Sequence, residues 1–209
     1  MIIQRQGLTI ELLADHAIHL PGPSMLVLSD AHFGKAATFR AHGLAVPDGD
    51  DARDLQRIDR MLALTGANSL LIVGDLTHSP RGSSPALDEW LENNAARVTL
   101  VVGNHDSPGR LEASVRCVDR FTLGSTHFVH DPADAPEGMF SICGHLHPVV
   151  RIRDGSRNSL RLACFHLSEQ RLVLPAFGTF TGGQVISPAP GDRVFVPLDG
   201  RVIDASALC

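Results

Sequence analysis

The feature that most limits what this chain can become is a repeated local grammar: short Val, Ile and Leu runs feed side chains that bind metals. Met25–Ser29 runs into Asp30-Ala31-His32, Ser69–Val73 into Gly74-Asp75-Leu76-Thr77-His78, and Arg97–Val102 into Gly103-Asn104-His105-Asp106. His130 and Gly144-His145-Leu146-His147-Pro148 follow further along. β-Branched runs of this length bounded by Gly read as buried strands. Ligands collect at strand ends in an α/β sheet. The sequence therefore brings Asp, Asn and His from several strand tips to one place.

The intervening segments predict how those tips are arranged. Leu8–Leu13 and Ala17–Leu20 read as a hairpin across Asp15-His16, with His16 and His19 at the surface or an edge. Gly34–Asp51 reads as a short helix followed by a loop over the site, carrying Lys35, Arg40 and His42. Asp51 through Leu64 is the clearest helix: Leu55, Ile58, Met61, Leu62 and Leu64 form an apolar stripe, Arg53, Arg57 and Arg60 a solvated face, and Gly66 a stop. A loop over Gly74–Pro85, containing Arg81, leads to a helix over Pro85–Asn94 with Pro in its first turn. Two successive strand–helix–strand crossovers favour parallel pairing.

Beyond them the pattern changes. Val115–Val118, Phe121–Leu123, Thr126–Val129, Phe140–Cys143, Val149–Arg153, Leu160–His166 and Arg171–Leu174 are short strands with little helix between, which predicts a largely antiparallel second sheet. Arg193–Pro197 and Arg201–Ile203 form a last hairpin around Asp199-Gly200. The expectation is one α/β domain over residues 1–209, with two sheets facing each other and helices outside.

Composition narrows the partners. A formal charge of -5 and a pI near 6.1 offer no global basic field for nucleic acid, so a local patch or bound cations would have to supply the attraction. Lys35 is the only Lys. Cys117, Cys143, Cys164 and Cys209 form no CxxC pair, and no leader or membrane-length apolar run is visible, so a reduced, cytoplasmic setting is expected, without a membrane partner.

Asp30, His32, Asp75, Asn104, His130, His145 and His147 make seven N/O donors of the kind that hold Mn, Zn or Fe. Seven exceed a tetrahedral zinc site and suit two divalent metals sharing one carboxylate. Asp75, with ligands on both sides of it in the chain, is the expected bridge. In such a site the ions lie ~3.5–4 Å apart and activate a water for attack on phosphorus. His105, beside Asn104, is expected to protonate the departing alkoxide as general acid. Asp106 is expected to shape the local loop.

These motifs together resemble the calcineurin-like metallophosphoesterase superfamily. The resemblance implies a four-layer α/β/β/α sandwich of two mixed sheets, with a dinuclear metal site at the strand ends. One metal would take Asp30, His32, Asp75 and His147; the other would take Asp75, Asn104, His130 and His145; His105 would be the proton donor. Many members carry Asp where this chain has His78, so an imidazole would have to support His105 here. Ser79 replaces an Arg that holds phosphate in phosphoprotein phosphatases, leaving Lys35, Arg40 and Arg81 as candidate phosphate contacts.

A narrower similarity, to the bacterial ligase-associated DNA damage response endonucleases (the PdeM group), rests on Leu26–Lys35, Phe39-Arg40, Gly43, Pro47, Ala163–Leu167 and Leu174–Gly183. It implies a Mn2+-dependent phosphodiesterase, a DNA repair nuclease acting on DNA, single-stranded by preference. Its implied associates are an ATP-dependent DNA ligase, a helicase and an exonuclease-like protein. Two alternatives stand beside it. One is a small-molecule phosphodiesterase or pyrophosphatase acting on nucleotides or nucleotide-linked metabolites. The other is a non-catalytic interaction scaffold, which the retention of all seven donors and His105 disfavours.

Overall fold

Alternation along a handful of short strands decides the layers. The computed structural model describes residues 1–46, 49–79, 84–111, 115–153 and 159–208. Its first half comprises β1 (Ile2–Arg5), β2 (Leu8–Leu13), β3 (Ala17–Leu20), β4 (Met25–Leu28), α1 (Lys35–Ala41), α2 (Asp50–Thr65), β5 (Ser69–Val73), α3 (Pro85–Asn94), β6 (Val98–Val101) and β7 (Arg116–Val118). The seven strands form one sheet in chain order, antiparallel from β1 to β4 and parallel from β4 to β7.

Because successive side chains leave a strand on opposite faces, β4 and β5 serve two cores at once. Leu26, Leu28, Leu70 and Ile72 meet Leu55, Ile58, Met61 and Leu62 of α2 and Leu87 and Leu91 of α3. Val27, Leu71 and Val73 face the other way, onto Phe128, Ile142, Phe165 and Phe195. This explains the near-continuous apolar character of the two strands: neither face sees water.

The second half comprises β8 (Phe121–Leu123), β9 (Thr126–Val129), β10 (Ser141–Cys143), β11 (Pro148–Arg153), β12 (Ser159–Ala163), β13 (Phe165–Leu167), β14 (Arg171–Val173), β15 (Gln184–Val185), β16 (Arg193–Leu198) and β17 (Arg201–Asp204). The second large sheet runs β17-β16-β13-β14-β10-β9-β8, and β12-β11-β15 form a small third one. Two mixed sheets flanked by helices thus make the expected four-layer α/β/β/α sandwich. The outer side of the second sheet is closed by the 3-10 turn Ser206–Leu208 and by the small sheet, packed through Val150, Val194 and Val196.

Several expectations need correction. The second sheet is antiparallel at its flanks, but β9, β10 and β14 are parallel at its centre. Crossovers over 130–140 and through β11–β13 make that possible, and short-range pattern does not reveal them. Val115–Val118 contributes β7 to the first sheet, not the second. The run Leu160–His166 breaks at Cys164, whose N–H donates to the Pro148 carbonyl at 3.0 Å, so the chain passes from the small sheet to the large one. The β1–β2 hairpin was not foreseen; Gln6 (φ 49°) and Gly7 (φ 77°) make its two-residue turn, as Asp199 and Gly200 do at the far end.

His19 is buried against Glu11 at 2.8 Å, and His16 is half-buried with Nδ1 2.9 Å from the Ala176 carbonyl, so neither is simply a surface histidine. Nor is Arg57 part of a solvated face. Its guanidinium pairs with Asp54 at 2.7 Å, reaches the carbonyls of Asp15 and Phe177, and lies 4.2 Å over the Phe177 ring. That arginine bolts α2 to the loop that follows β14.

Candidate metal centre

Every predicted donor lies at a strand end on one edge of the sandwich. Asp30 and His32 follow β4, Asp75 follows β5, Asn104 follows β6, His130 follows β9, His145 follows β10 and His147 precedes β11. The parallel pairing of β4–β5–β6 and of β9–β10 brings their carboxyl ends to the same side. Pairing continues past the strands: the N–H groups of Asp30 and His32 donate to the carbonyls of Gly74 and Asp75 at 3.0 and 2.9 Å.

Five of the seven donors sit in left-handed backbone: Asp30 (φ 57°), His32 (52°), Asp75 (53°), His145 (68°) and His147 (44°). Outside Gly this region costs roughly 1–2 kcal/mol per residue, and such residues cluster where geometry serves a site. Each turns the chain sharply at a strand tip.

Glycines make the room. A Cβ on Gly74 would lie 2.0 Å from His130 Nδ1, one on Gly103 2.3 Å from Asp75 Oδ1, and one on Gly144 1.7 Å from Ser29 Oγ and 2.6 Å from Asp30 Oδ2. The glycine of each motif therefore leaves space for a ligand, or a ligand's support, from another. This is the physical reason the motifs read G-D, G-N-H-D and G-H-x-H.

The donors fall into two triads, Asp30/His32/His147 and Asp75/His130/His145, each with its ligand atoms within 4.8 Å of one another. In the first, His147 Nε2 stands 3.0 Å from Asp30 Oδ1 and 3.4 Å from His32 Nε2. In the second, Asn104 Oδ1 joins at 3.1 Å from His130 Nε2 and 3.0 Å from His145 Nδ1. Asp75 Oδ2 lies between them, 3.4 Å from His130 Nε2 and 3.8 Å from His32 Nε2. Imidazole nitrogens converging at this range on carboxylate and amide oxygens make a mixed donor set that a shared cation would satisfy.

Electrostatics agree with a cation site. Burial holds His32 down to about 3 despite Asp75 and Asp30, keeping its ring neutral and ligand-ready. Burial also opposes charge on His130, yet hydrogen bonding and charge from Asp75, aided by Asp30, raise it to about 9. Asp75 is lowered although burial works against it, chiefly through His130. These carboxylates demand positive charge among them, and the mixed N/O donor set fits a pair of divalent metals. The Nδ1–H groups of His130 and His147 donate to the carbonyls of Val73 and Gly182, both at 3.1 Å, and so aim Nε2 inward. His145 is reversed, with Nδ1 inward and Nε2 3.7 Å from Asp131.

His105 stands beside the first triad, its ring centroid 5.2 Å from that of His32. Its backbone N–H donates to Asp75 Oδ1 at 2.9 Å, and its Nδ1–H donates to the backbone carbonyl of His78 at 2.8 Å. The expected imidazole support from His78 is therefore corrected: the backbone of His78 orients Nδ1, while its ring stacks on His105 at 5.4 Å and 15°. Asp106 is buried and accepts from the N–H groups of Asp75, Gly103 and Thr77 at 2.9, 2.9 and 3.0 Å, tying two strand tips together.

Lys35 opens α1, half-buried, with its charge felt at His32 and His78; burial lowers it against the attraction of Asp30 and Asp75. Arg40 is exposed, its Nη1 3.4 Å from the Val46 carbonyl, in a groove bordered by the starts of α2 and α3, not by the donors. Arg81 lies outside the described residues. Ser29, Asp131 and the Gly182 carbonyl were missed as supports. Adjacency to Asp30 and His130 was the available signal for the first two; nothing local marks the third.

The calcineurin-like phosphoesterase family model matches residues 23–162. Among solved structures, the Pseudomonas putida nuclease MPE is 34% identical, with 98% of each chain covered and a TM-score of 0.79. Yfce, a phosphoesterase from E. coli, is 19% identical, covering 87% of this chain and 98% of that one at a TM-score of 0.48. No curated protein sequence matches the chain.

Proposed function

Because the chain belongs to the calcineurin-like phosphoesterase family and is a metal-dependent phosphoesterase, we propose that it is a nuclease hydrolysing phosphodiester bonds in DNA, single strands by preference, as one catalytic domain over residues 1–209. The observation that carries this reading is the pair of triads meeting at Asp75 Oδ2, in a chain whose 34%-identical relative is a nuclease. Asp30, His32, Asp75 and His147 hold one metal, and Asp75, Asn104, His130 and His145 hold the other. We assign Mn2+ to both positions. Bound there, the pair supplies Lewis acidity toward the phosphoryl oxygens and a nucleophilic water at neutral pH.

The chain's own groups do the rest. His105, with Nδ1–H on the His78 carbonyl, keeps Nε2 for the proton that passes to the departing alkoxide. Asp106 holds the Asp75 and Gly103 backbones in register. Lys35, rather than Arg40, contacts a substrate phosphate. Among the described residues no helix is long and apolar enough to cross a membrane. We place the enzyme in the cytoplasm, in DNA repair, with the ligase, helicase and exonuclease-like protein of the PdeM group as associates.

The test is a substrate panel on Mn2+-reconstituted protein: single-stranded and duplex DNA, RNA, cyclic nucleotides and pyrophosphates. Internal cleavage of single-stranded DNA at the highest kcat/KM is expected. Faster turnover of nucleotide diesters or pyrophosphates would replace this reading with the small-molecule alternative.

A further inference from the structure

One phenylalanine ring is partly exposed on the loop whose Gly182 carbonyl accepts from His147. Phe33, Phe128, Phe165, Phe177 and Phe195 are fully buried, whereas Phe180 is 40% exposed, the only phenylalanine among the exposed large hydrophobic residues. Its ring meets Phe39 edge-on, with centroids 5.7 Å apart at 73°. Phe39 meets His78 at 5.8 Å and 75°, and His78 stacks on His105. A continuous series of rings thus runs from the candidate general acid to solvent, ending on Phe180.

The loop that presents Phe180 is anchored on both sides. Upstream, the N–H groups of Phe177 and Gly178 donate to the carbonyls of Ser29 and Asp30 at 2.9 and 3.1 Å. Thr179 N–H and Oγ1 donate to Asp54 at 2.9 and 2.5 Å. Gly178 is wedged so closely that a Cβ would lie 2.3 Å from the Ala31 carbonyl. Downstream, the Gly182 carbonyl accepts from His147. The backbone hydrogen bonds run to the segments that carry Asp30 and His147, so the position of Phe180 is set by the metal centre. The ring is thus held on an anchored loop with 40% of its surface open to solvent, where a ligand can cover it.

We propose that Phe180 is a stacking platform for an unpaired nucleobase of the substrate strand, positioned by its edge contact with Phe39. The inference rests on the nuclease reading and adds to it a specificity-determining residue. Every base has a π-face, so stacking holds a strand without sequence preference. It also needs no positive field, which suits a chain of net charge -5. A paired base keeps its faces inside the duplex, so the platform discriminates against double strands.

The test compares wild type with Phe180→Ala, Phe180→Leu and Phe180→Trp on a single-stranded oligodeoxynucleotide and on the same strand with its bases removed. Loss of one base–aromatic stack predicts KM raised by about 5- to 150-fold in Phe180→Ala, with kcat within twofold. The Leu variant, which preserves bulk, should behave like Ala, and the Trp variant like wild type. On the abasic strand the Ala substitution should cost less than twofold. Quenching of a 2-aminopurine base on binding should weaken in Ala and Leu and persist in Trp at high salt.

Equal losses on intact and abasic strands, or full activity in the Leu variant, would overturn the platform while leaving the nuclease standing. A wild-type enzyme that cleaves neither strand, yet hydrolyses small diesters, would overturn the nuclease reading and the platform with it.

Discussion

The two sheets contribute different kinds of donor to the candidate metal centre. The first supplies every oxygen donor, Asp30, Asp75 and Asn104, together with His32 and the candidate acid His105; the second supplies His130 and, with the small third sheet, His145 and His147, imidazoles alone. Their construction differs as well. The parallel strands of the first sheet lie in chain order, whereas the second interleaves β13 and β14 between β16 and β10. Both carboxylates thus come from a continuous parallel unit, and three imidazoles are brought to them by long-range assembly. The halves interlock, since His130 fills the space beside Gly74 and Gly144 makes room for Ser29 and Asp30.

The largest effect tests whether the first sheet holds both metals. Asp75→Ala should leave no more than one bound Mn2+ by metal analysis and lower diester hydrolysis by at least about 10⁴-fold, since Lewis-acid stabilisation of several kcal/mol is lost. His145→Ala, on the second sheet, should lose only the ion of its own triad. Two ions retained in Asp75→Ala, or both lost in His145→Ala, would erase the distinction between the halves.

Next comes the proposed acid, which the first sheet also carries. His105→Ala should keep both metals and lose roughly 10²–10⁴-fold on alkyl diesters. A nitrophenyl ester, whose leaving group needs no proton, should suffer far less. Equal losses on both esters would remove His105 from proton transfer.

The third prediction sets one imidazole from each half against the other in chelated protein. His130, raised to about 9, stabilises the fold fully below its ordinary 6.5 and loses that contribution as pH rises through 9. His32, lowered to about 3, contributes above 6.5 and loses its contribution as pH falls toward 3. Stability should therefore peak near pH 6.5 and fall on the alkaline side by on the order of 3 kcal/mol, read from urea melts. Saturating Mn2+, which takes the place of the His130 proton, should flatten that limb. A flat profile in chelator would show that the His130–Asp75 pair is not what couples the sheets.

Interlocking itself is tested by Gly144→Ala. The added methyl meets Ser29 and Asp30, so a cost of about 1–3 kcal/mol is expected from overpacking. Ser29→Ala in the same chain should recover part of it, and absence of rescue would locate the strain elsewhere. The smallest effect separates two cations of α1: Lys35→Ala should raise KM for DNA by about tenfold and lower the salt slope by about one unit, while Arg40→Ala changes neither beyond twofold.

Much of this was legible before any coordinates. Short apolar runs, ended by Gly in β5 and β6 and by Ser29 in β4, announced these strands and the tips that carry Asp30, Asp75 and Asn104, because a strand buried on both faces leaves an unbroken apolar signature. The α2 stripe and the Pro-led start of α3 were equally local, except that Leu64, expected on the stripe, is 78% exposed because it falls off the face that Leu55, Ile58, Met61 and Leu62 bury. The parallel centre of the second sheet was not legible. Its strands are three or four residues long, and their direction is set by crossovers that join segments distant in sequence.

By itself, the sequence determined which atoms could bind metal, that several strand tips carried them, and that glycines stood beside them. These are properties of residue type and of spacing over a few bonds. The tertiary structure decided what depends on approach through space. It placed Asp75 Oδ2 between the two triads, gave His105 a backbone carbonyl from His78, moved Arg57 into a bolt and Arg40 away from the donors, and left Phe180 exposed at the end of a row of rings. Each of these contacts is settled where the two sheets and their loops meet, because distance and dielectric there follow from packing, and no local pattern encodes packing.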